Sequence, residues 1–184
     1  MSYDGDGGYG TISAPGVVRV ERMLPGPIER IWNYITDPEK RRQWLAGGAV
    51  ELRAGGNIEH VFRNADFAAS NEAAPPRFAS LAGEIRLAGQ ITECRPPNLL
   101  AYTWNGNADD PSEVRFELEE RGQKVLLTVT HSQLAQRGMM TMVTAGWHTH
   151  LDILAALVEE RAPDGFWAKF ARLHAEYDRR IPPG

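Results

Sequence analysis

The chain has 184 residues, with 24 acidic and 20 basic side chains, a net charge of −4 and 42% hydrophobic residues. That length suits one ordinary domain burying roughly 70% of its unfolded surface, so neither a disulfide nor a metal is needed for stability, and a single cysteine excludes an internal disulfide. The mildly acidic balance speaks against a nucleic-acid partner. The longest run free of Asp, Glu, Lys and Arg, Gly138 to Leu151, is shorter than the roughly 18 residues of a membrane span, and nothing at the start has a signal-peptide pattern, so the expected location is the cytoplasm.

In chain order, residues 1–16 read as a flexible segment in which Gly10–Ser13 can pair with the next strand through Ala14-Pro15-Gly16. Val17–Leu24 alternates around Val18 and Val20 and is a strand. Pro27 stands where a first helical residue belongs, and Ile28, Ile31, Trp32 and Ile35 follow at i, i+3, i+4 and i+7. Asp37-Pro38 reads as an N-cap and helix-opening proline for a second helix through Trp44, ended by Gly47-Gly48; its Lys40-Arg41-Arg42 cluster reads as a solvated face. The period then changes to two. Gly55-Gly56 marks a hairpin between Val50–Arg53 and Asn57–Arg63, and Asn64–Ser80, with Pro75-Pro76, reads as a loop.

Ile85, Leu87 and Ile91 share one strand face, Leu100, Tyr102 and Trp104 another, with Arg95-Pro96-Pro97-Asn98 as the turn between. A two-residue loop at Arg121-Gly122 would pair Val114 with Val129, Phe116 with Leu127 and Leu118 with Val125, completing an antiparallel meander of about six strands. From Met139 to Arg161, Met140, Val143, Trp147, Leu151, Leu154 and Val158 fall on one helical stripe bordered by Gly146, His150 and Leu157. Ala162-Pro163 breaks this helix. Asp164 can cap a last one, with Phe166, Phe170, Leu173, Tyr177 and Ile181 as its apolar face. The order implies an α+β fold: one domain over 17–161 and a helical extension over 162–184 packed on it.

The chemistry-bearing residues are few. His148 and His150, two apart on a helix, diverge by about 200° and cannot chelate one ion, so no metal or other cofactor is expected; His148 instead meets Asp152 at i+4 as a surface contact. His131 continues the inward parity of Val125, Leu127 and Val129, and His150 borders the helix stripe that covers the same face. Two readings stay open: polar groups on a cavity wall that orient a ligand or move a proton, or satisfied histidines at the rim of a core. Trp44, Trp104 and Trp147 come from three elements that converge only between sheet and long helix. They line a pocket if that gap is open and are core if it is filled, and Tyr102 shares the Trp104 face. Gly146, inside the long helix, costs about 1 kcal/mol relative to Ala; close packing is the ordinary reason for such a residue, and room for a ligand the other. No nucleophile elbow, Cys-x-x-Cys or phosphate loop is present, and Cys94 reads as an inert buried or half-buried thiol.

Taken together, Trp32 through Thr36-Asp37-Pro38 to Trp44, the Gly55-Gly56 turn, Gly83 or Gly89 before Pro96-Pro97, Tyr102-Thr103-Trp104, Leu127-Thr128-Val129-Thr130-His131 and Gly146-Trp147-His148 with Leu151 and Leu154 resemble the bacterial homologues of the activator of heat-shock-protein-90 ATPase. These belong to the birch-allergen-like, START-like superfamily. The resemblance covers about Gly16 to Glu160 and implies the helix-grip fold, a bent antiparallel sheet wrapped around a long C-terminal helix and enclosing a cavity. It implies binding of a hydrophobic small molecule without catalysis, with Trp44, Tyr102, Trp104, His131, Trp147 and His150 as wall residues. Two alternatives accompany it: a cyclase or hydrolase of aromatic or polyketide-like compounds using His131 or His150 as acid or base, and a chaperone-associated protein. The last is weakened because the eukaryotic activator's second domain has no counterpart here. A homodimer through the terminal helix or the Asn64–Ser80 loop stays open.

Overall fold

A computed structural model describes residues 8–183, so the expected flexibility of residues 1–7 lies outside the described residues. Seven strands form one antiparallel sheet: β1 (Thr11–Ala14), β2 (Val17–Pro25), β3 (Asn57–Phe62), β4 (Ile85–Arg95), β5 (Leu99–Trp104), β6 (Ser112–Arg121) and β7 (Lys124–Ser132). They lie in the order β1-β2-β7-β6-β5-β4-β3. The helices are α1 (Ile28–Thr36), α2 (Pro38–Arg41), α3 (Arg137–Val158) and α4 (Phe166–Arg180). This is the α+β helix-grip arrangement. The alternating residues Val18 and Val20, Ile58 and Phe62, Leu100 and Tyr102, Val114, Phe116 and Leu118, and Val125, Leu127 and Val129 are buried on the inner face. Trp147 of α3 rests on that face, its ring 5.5 Å from Trp104 and 5.5 Å from Phe116. Where the sheet bends, β4 shifts register between Ile91 and Glu93, and a Cβ on Gly89 would stand 2.0 Å from the Thr103 carbonyl oxygen, so only glycine fits. Among the described residues no helix is long and apolar enough to cross a membrane.

Several local expectations need correction. Thr11–Ala14 is ordered as β1 on β2, through the turn anticipated for it. Pro27 occupies the N-cap position of α1 and not its first turn. Asp37 does cap α2, its carboxylate accepting from the Glu39 and Lys40 N–H groups at 2.9 and 3.1 Å, but α2 stops at Arg41. Val50 makes an isolated bridge to Ile58, so Val50–Arg53 is no strand. The supposed loop Asn64–Ser80 contains two 3-10 helices, Asn64–Phe67 and Pro76–Leu81. In the β6–β7 hairpin Phe116 faces Val129 and Leu118 faces Leu127, two residues away from the expected register. The loop is Gly122-Gln123, with Gly122 at φ 65, because a type II′ turn wants glycine at its first central position. The shift by two keeps every side chain on its expected face.

Of the Lys40-Arg41-Arg42 cluster, Arg42 is exposed and Lys40 half-buried, but Arg41 is not part of a solvated face. Arg41 is 1% exposed. Its guanidinium donates to the carbonyls of Ala46 (3.0 Å), Gly47 (3.2 Å), Gly48 (2.7 Å) and Glu59 (3.0 Å), stitching the segment after α2 to β3. The start of α4 is also held differently from expectation. Asp164 pairs with Lys169, while Glu72 accepts from the Ala168 N–H at 2.7 Å. Burial acts to raise the Glu72 pKa, but backbone N–H groups of Ala168, Ala69, Trp167 and Phe166 hold it below the usual range.

Helix α4 packs against α3 and changes what the outer face of α3 sees. His148, expected on the surface, is 6% exposed. Its Nε2 stands 3.4 Å from Asp152, and its Nδ1 is 2.8 Å from the Tyr177 hydroxyl, which accepts from the Gly10 N–H at 2.6 Å. Asp152 also meets Arg22 at 2.8 Å and Lys169 at 2.6 Å. Burial alone would raise the Asp152 pKa; the His148 hydrogen bond and the two cations drive it far below the usual carboxylate range. The network ties α4 to α3 and β2. Both surfaces considered for dimer pairing spend their apolar side chains inside the chain: Phe166, Phe170, Leu173, Tyr177 and Ile181 of the terminal segment are all buried, and Phe78 packs edge-on against Phe170 at 4.9 Å.

Candidate functional site

Between the sheet and α3 lies a cavity of about 230 Å³. Its sheet wall is Phe62, Ile85, Leu87, Trp104 and His131; α3 contributes Met142, Val143, Gly146, Trp147 and His150. Leu45 closes one end, Asn64 and Leu81 come from the 3-10 segment, and Phe166 and Phe170 from α4. An adjoining compartment of about 310 Å³ shares Leu87, Trp104, His131, Met139 and Val143 and continues past Ser112, Gln133 and Gln136. Met139, 51% exposed, stands where the two meet solvent.

Four of the six expected wall residues, Trp104, His131, Trp147 and His150, line this cavity. Trp44 and Tyr102 do not. Trp44 is fully buried behind the wall, its indole N–H given to the Tyr34 carbonyl at 2.8 Å, and its role is indirect because its own carbonyl holds His150. Tyr102 is buried in the sheet between His60 and Phe116, with ring centroids at 5.0 and 6.1 Å. Burial raises its hydroxyl pKa, so it stays protonated. A strand-face argument tells which side a residue takes but not whether the next layer covers it.

The two histidines differ in what they leave free. Trp147 Nε1–H donates to His131 Nδ1 at 3.1 Å, which makes Nδ1 the acceptor and puts the ring proton on Nε2, 2.6 Å from Ser112 Oγ. Both ring nitrogens are therefore engaged, and burial lowers the pKa to about 3, so His131 fixes Trp147 instead of exchanging protons near neutrality. In His150 the partner of Nδ1 is the Trp44 carbonyl at 2.7 Å, an acceptor, so Nδ1 carries the proton and Nε2 keeps its lone pair. Burial depresses its pKa to about 4 against the opposing pull of the Trp44 carbonyl. Phe166, Phe67 and Phe62 surround its ring at 5.2, 5.7 and 6.3 Å.

Gly146 shows no close packing at all. A Cβ built on it meets nothing within 4 Å, because the position faces the cavity. The helix thus carries the cost of an internal glycine without a neighbour that demands it. Gly146→Ala should raise the free energy of unfolding by about 1 kcal/mol in urea titrations; a loss of stability would mean that the space beside it is filled.

Sequence reasoning missed His60 and Asn64. His60 is 2% exposed and stacked among Tyr102, Trp104 and Phe62; the alternation Ile58, His60, Phe62 was the available signal. Burial, then the Arg41 charge, keeps its pKa well below the ordinary value. Asn64 had no signal, since it stands at the entrance to an apparent loop. Cys94 is half-buried and free, its pKa raised by burial. Among the described residues no group of three His, Cys, Asp or Glu could hold a metal ion.

A bent antiparallel sheet closed by a long helix over an apolar cavity defines a helix-grip protein of the birch-allergen-like superfamily, a fold built around ligand cavities. The profile of the family described as "Activator of Hsp90 ATPase homolog 1-like protein" matches residues 25–159, and the chain belongs to that family. The solution structure of the protein encoded by gene BPP1335 from Bordetella parapertussis is 41% identical, with 96% of this chain and 92% of that one covered and a TM-score of 0.78. The crystal structure of CalU16 from Micromonospora echinospora is 23% identical over 90% of this chain and 85% of its own, with a TM-score of 0.62. DynU16, a protein of the dynemicin biosynthetic locus, is 20% identical over 83% of this chain and 51% of its own, with a TM-score of 0.60; these last two share the fold. Among curated proteins none matches.

Proposed function

We propose that this protein binds a hydrophobic, ring-containing small molecule in the cavity between sheet and α3, without transforming it. The observation that carries the reading is Gly146: a helix interior gives up stability at a position where an added side chain would project into the cavity and meet no neighbour. Trp104 and Trp147 supply flat apolar walls, and desolvation of the guest at about 25 cal/mol per Å² drives binding. His150 is the polar contact, and His131 holds Trp147 in place. A cyclase or hydrolase role is less well supported, because His131 has no free nitrogen and a His150 with a pKa of about 4 is a weak base at neutral pH. The occurrence of DynU16, a relative by fold, in the dynemicin biosynthetic locus agrees with a small-molecule guest. The free Cys94, in a chain with no disulfide to form, agrees with a cytoplasmic location.

Titration with the neutral fluorescent probe N-phenyl-1-naphthylamine tests the reading. A single saturable site is expected, and Gly146→Phe, which fills the cavity from α3, should weaken binding at least tenfold while the protein stays folded. A probe that does not bind, or binds Gly146→Phe equally well, would end the case for this cavity.

A further inference from the structure

The cavity described above is apolar except for a few atoms, and their chemistry is one-sided. Asn64 is 7% exposed and lines it. Its Nδ2 donates to the Leu81 carbonyl at 3.3 Å, and a carbonyl can only accept, so the amide orientation is fixed with Oδ1 as the remaining group. That oxygen is buried and has no hydrogen-bond partner. Buried carbonyl oxygens of this kind are nearly always paired, so an unpaired one on a residue that lines the cavity is an acceptor in want of a donor. The second atom is His150 Nε2, a lone pair once Nδ1–H is given to the Trp44 carbonyl. The two lie on neighbouring walls: Phe67, in the same 3-10 turn as Asn64, sits edge-on to the His150 ring at 5.7 Å. The N–H of Trp147, which also lines the cavity, is already given to His131.

Among the described residues no lysine or arginine lines the cavity. A carboxylate entering it would therefore lose its hydration and face two lone pairs without a cation, which is unfavourable on both counts. A hydroxyl or ring N–H would meet an acceptor that has lacked one. We infer that Asn64 Oδ1 and His150 Nε2 select a neutral aromatic guest that presents a hydrogen-bond donor, a phenol- or enol-type hydroxyl above all, and reject carboxylates. This rests on the proposed function and specifies it. A site built to pair a substrate hydroxyl discriminates strongly against an analogue lacking it, because the site's own acceptor is then left unpaired.

Three probes of one ring system separate the possibilities at pH 7 on the full chain: 2-naphthol, its donor-less ether 2-methoxynaphthalene, and 2-naphthoate. Calorimetric titration should give 2-naphthol at least tenfold tighter binding than either of the others. In Asn64→Leu the preference of naphthol over its ether should fall to threefold or less, while affinity for the ether stays within about twofold. That variant replaces an unpaired acceptor by an apolar group and is expected to fold, which circular dichroism checks; His150→Phe should narrow the preference in the same way. Equal binding of naphthol and ether by the unaltered protein, or naphthoate as the tightest of the three, would overturn this inference while leaving a cavity that takes apolar guests. Absence of binding by all three would overturn the proposed function itself.

Discussion

Acid should unfold this protein steeply, with the unfolding free energy falling by up to about 4 kcal/mol per pH unit between roughly pH 6 and pH 5. Three histidines, His60, His131 and His150, are almost fully buried and have folded-state pKa values below the ordinary 6.5, with His131 near 3 and His150 near 4. In each case desolvation is the first cause. Above pH 6.5 the rings are neutral in both states and contribute no pH dependence. As pH drops below that value the unfolded chain takes up protons that the folded chain refuses, so stability is lost, at about 1.4 kcal/mol per unit for each such histidine. The loss from a given ring levels off only when pH falls below its folded-state pKa. Further down, Asp152 adds to the effect: its carboxyl is held ionised by His148, Arg22 and Lys169, and protonating it removes that stability. Urea titrations at pH 7.5, 6 and 5 should show the decline, and His131→Gln should reduce the slope by about a third. A stability that stays flat from pH 7 to pH 5 would contradict the assignment of these rings as buried and neutral.

Replacing Arg41 by leucine should cost about 3–5 kcal/mol of stability, among the largest effects of any single substitution here. The guanidinium fork reaches the carbonyls of Ala46, Gly47, Gly48 and Glu59 at once, and removing it leaves buried acceptors without that donor, at about 1–3 kcal/mol for each one that finds no substitute. The Gly47 oxygen keeps a second donor in the Val61 N–H, so it contributes little. Arg41→Lys should recover less than half of the loss, because an ammonium cannot span four carbonyls in the plane of a fork. The consequences extend to the cavity. Arg41 secures the segment from which Leu45 lines one end and from which the Trp44 carbonyl holds His150. It also presses the His60 pKa downward, so the His60 ring should titrate at higher pH in the leucine variant, as proton NMR would reveal. A change in unfolding free energy below about 1 kcal/mol would show that these carbonyls find other partners.

Local periodicity fixed much of this molecule. The alternation of Leu100, Tyr102 and Trp104, or of Val125, Leu127 and Val129, reflects the two faces of a strand, and the spacing of Trp147, Leu151 and Leu154 reflects one face of a helix; both depend on neighbours in sequence and survive in the fold. The same reasoning brought Trp104, His131, Trp147 and His150 to one gap. What periodicity leaves open is anything decided by a third layer. His148 reads as solvated until α4 covers it, Arg41 reads as a surface charge until the carbonyls of the segment after α2 and of Glu59 in β3 surround it, and Tyr102 reads as a wall until His60 and Phe116 flank it. The hollow itself is of this kind, since whether Gly146 meets a neighbour or empty space depends on side chains from β4, β5 and α4 that lie far away in sequence. Faces are set by bond geometry along the chain, whereas burial, protonation and open volume are set by which remote atoms arrive to displace water.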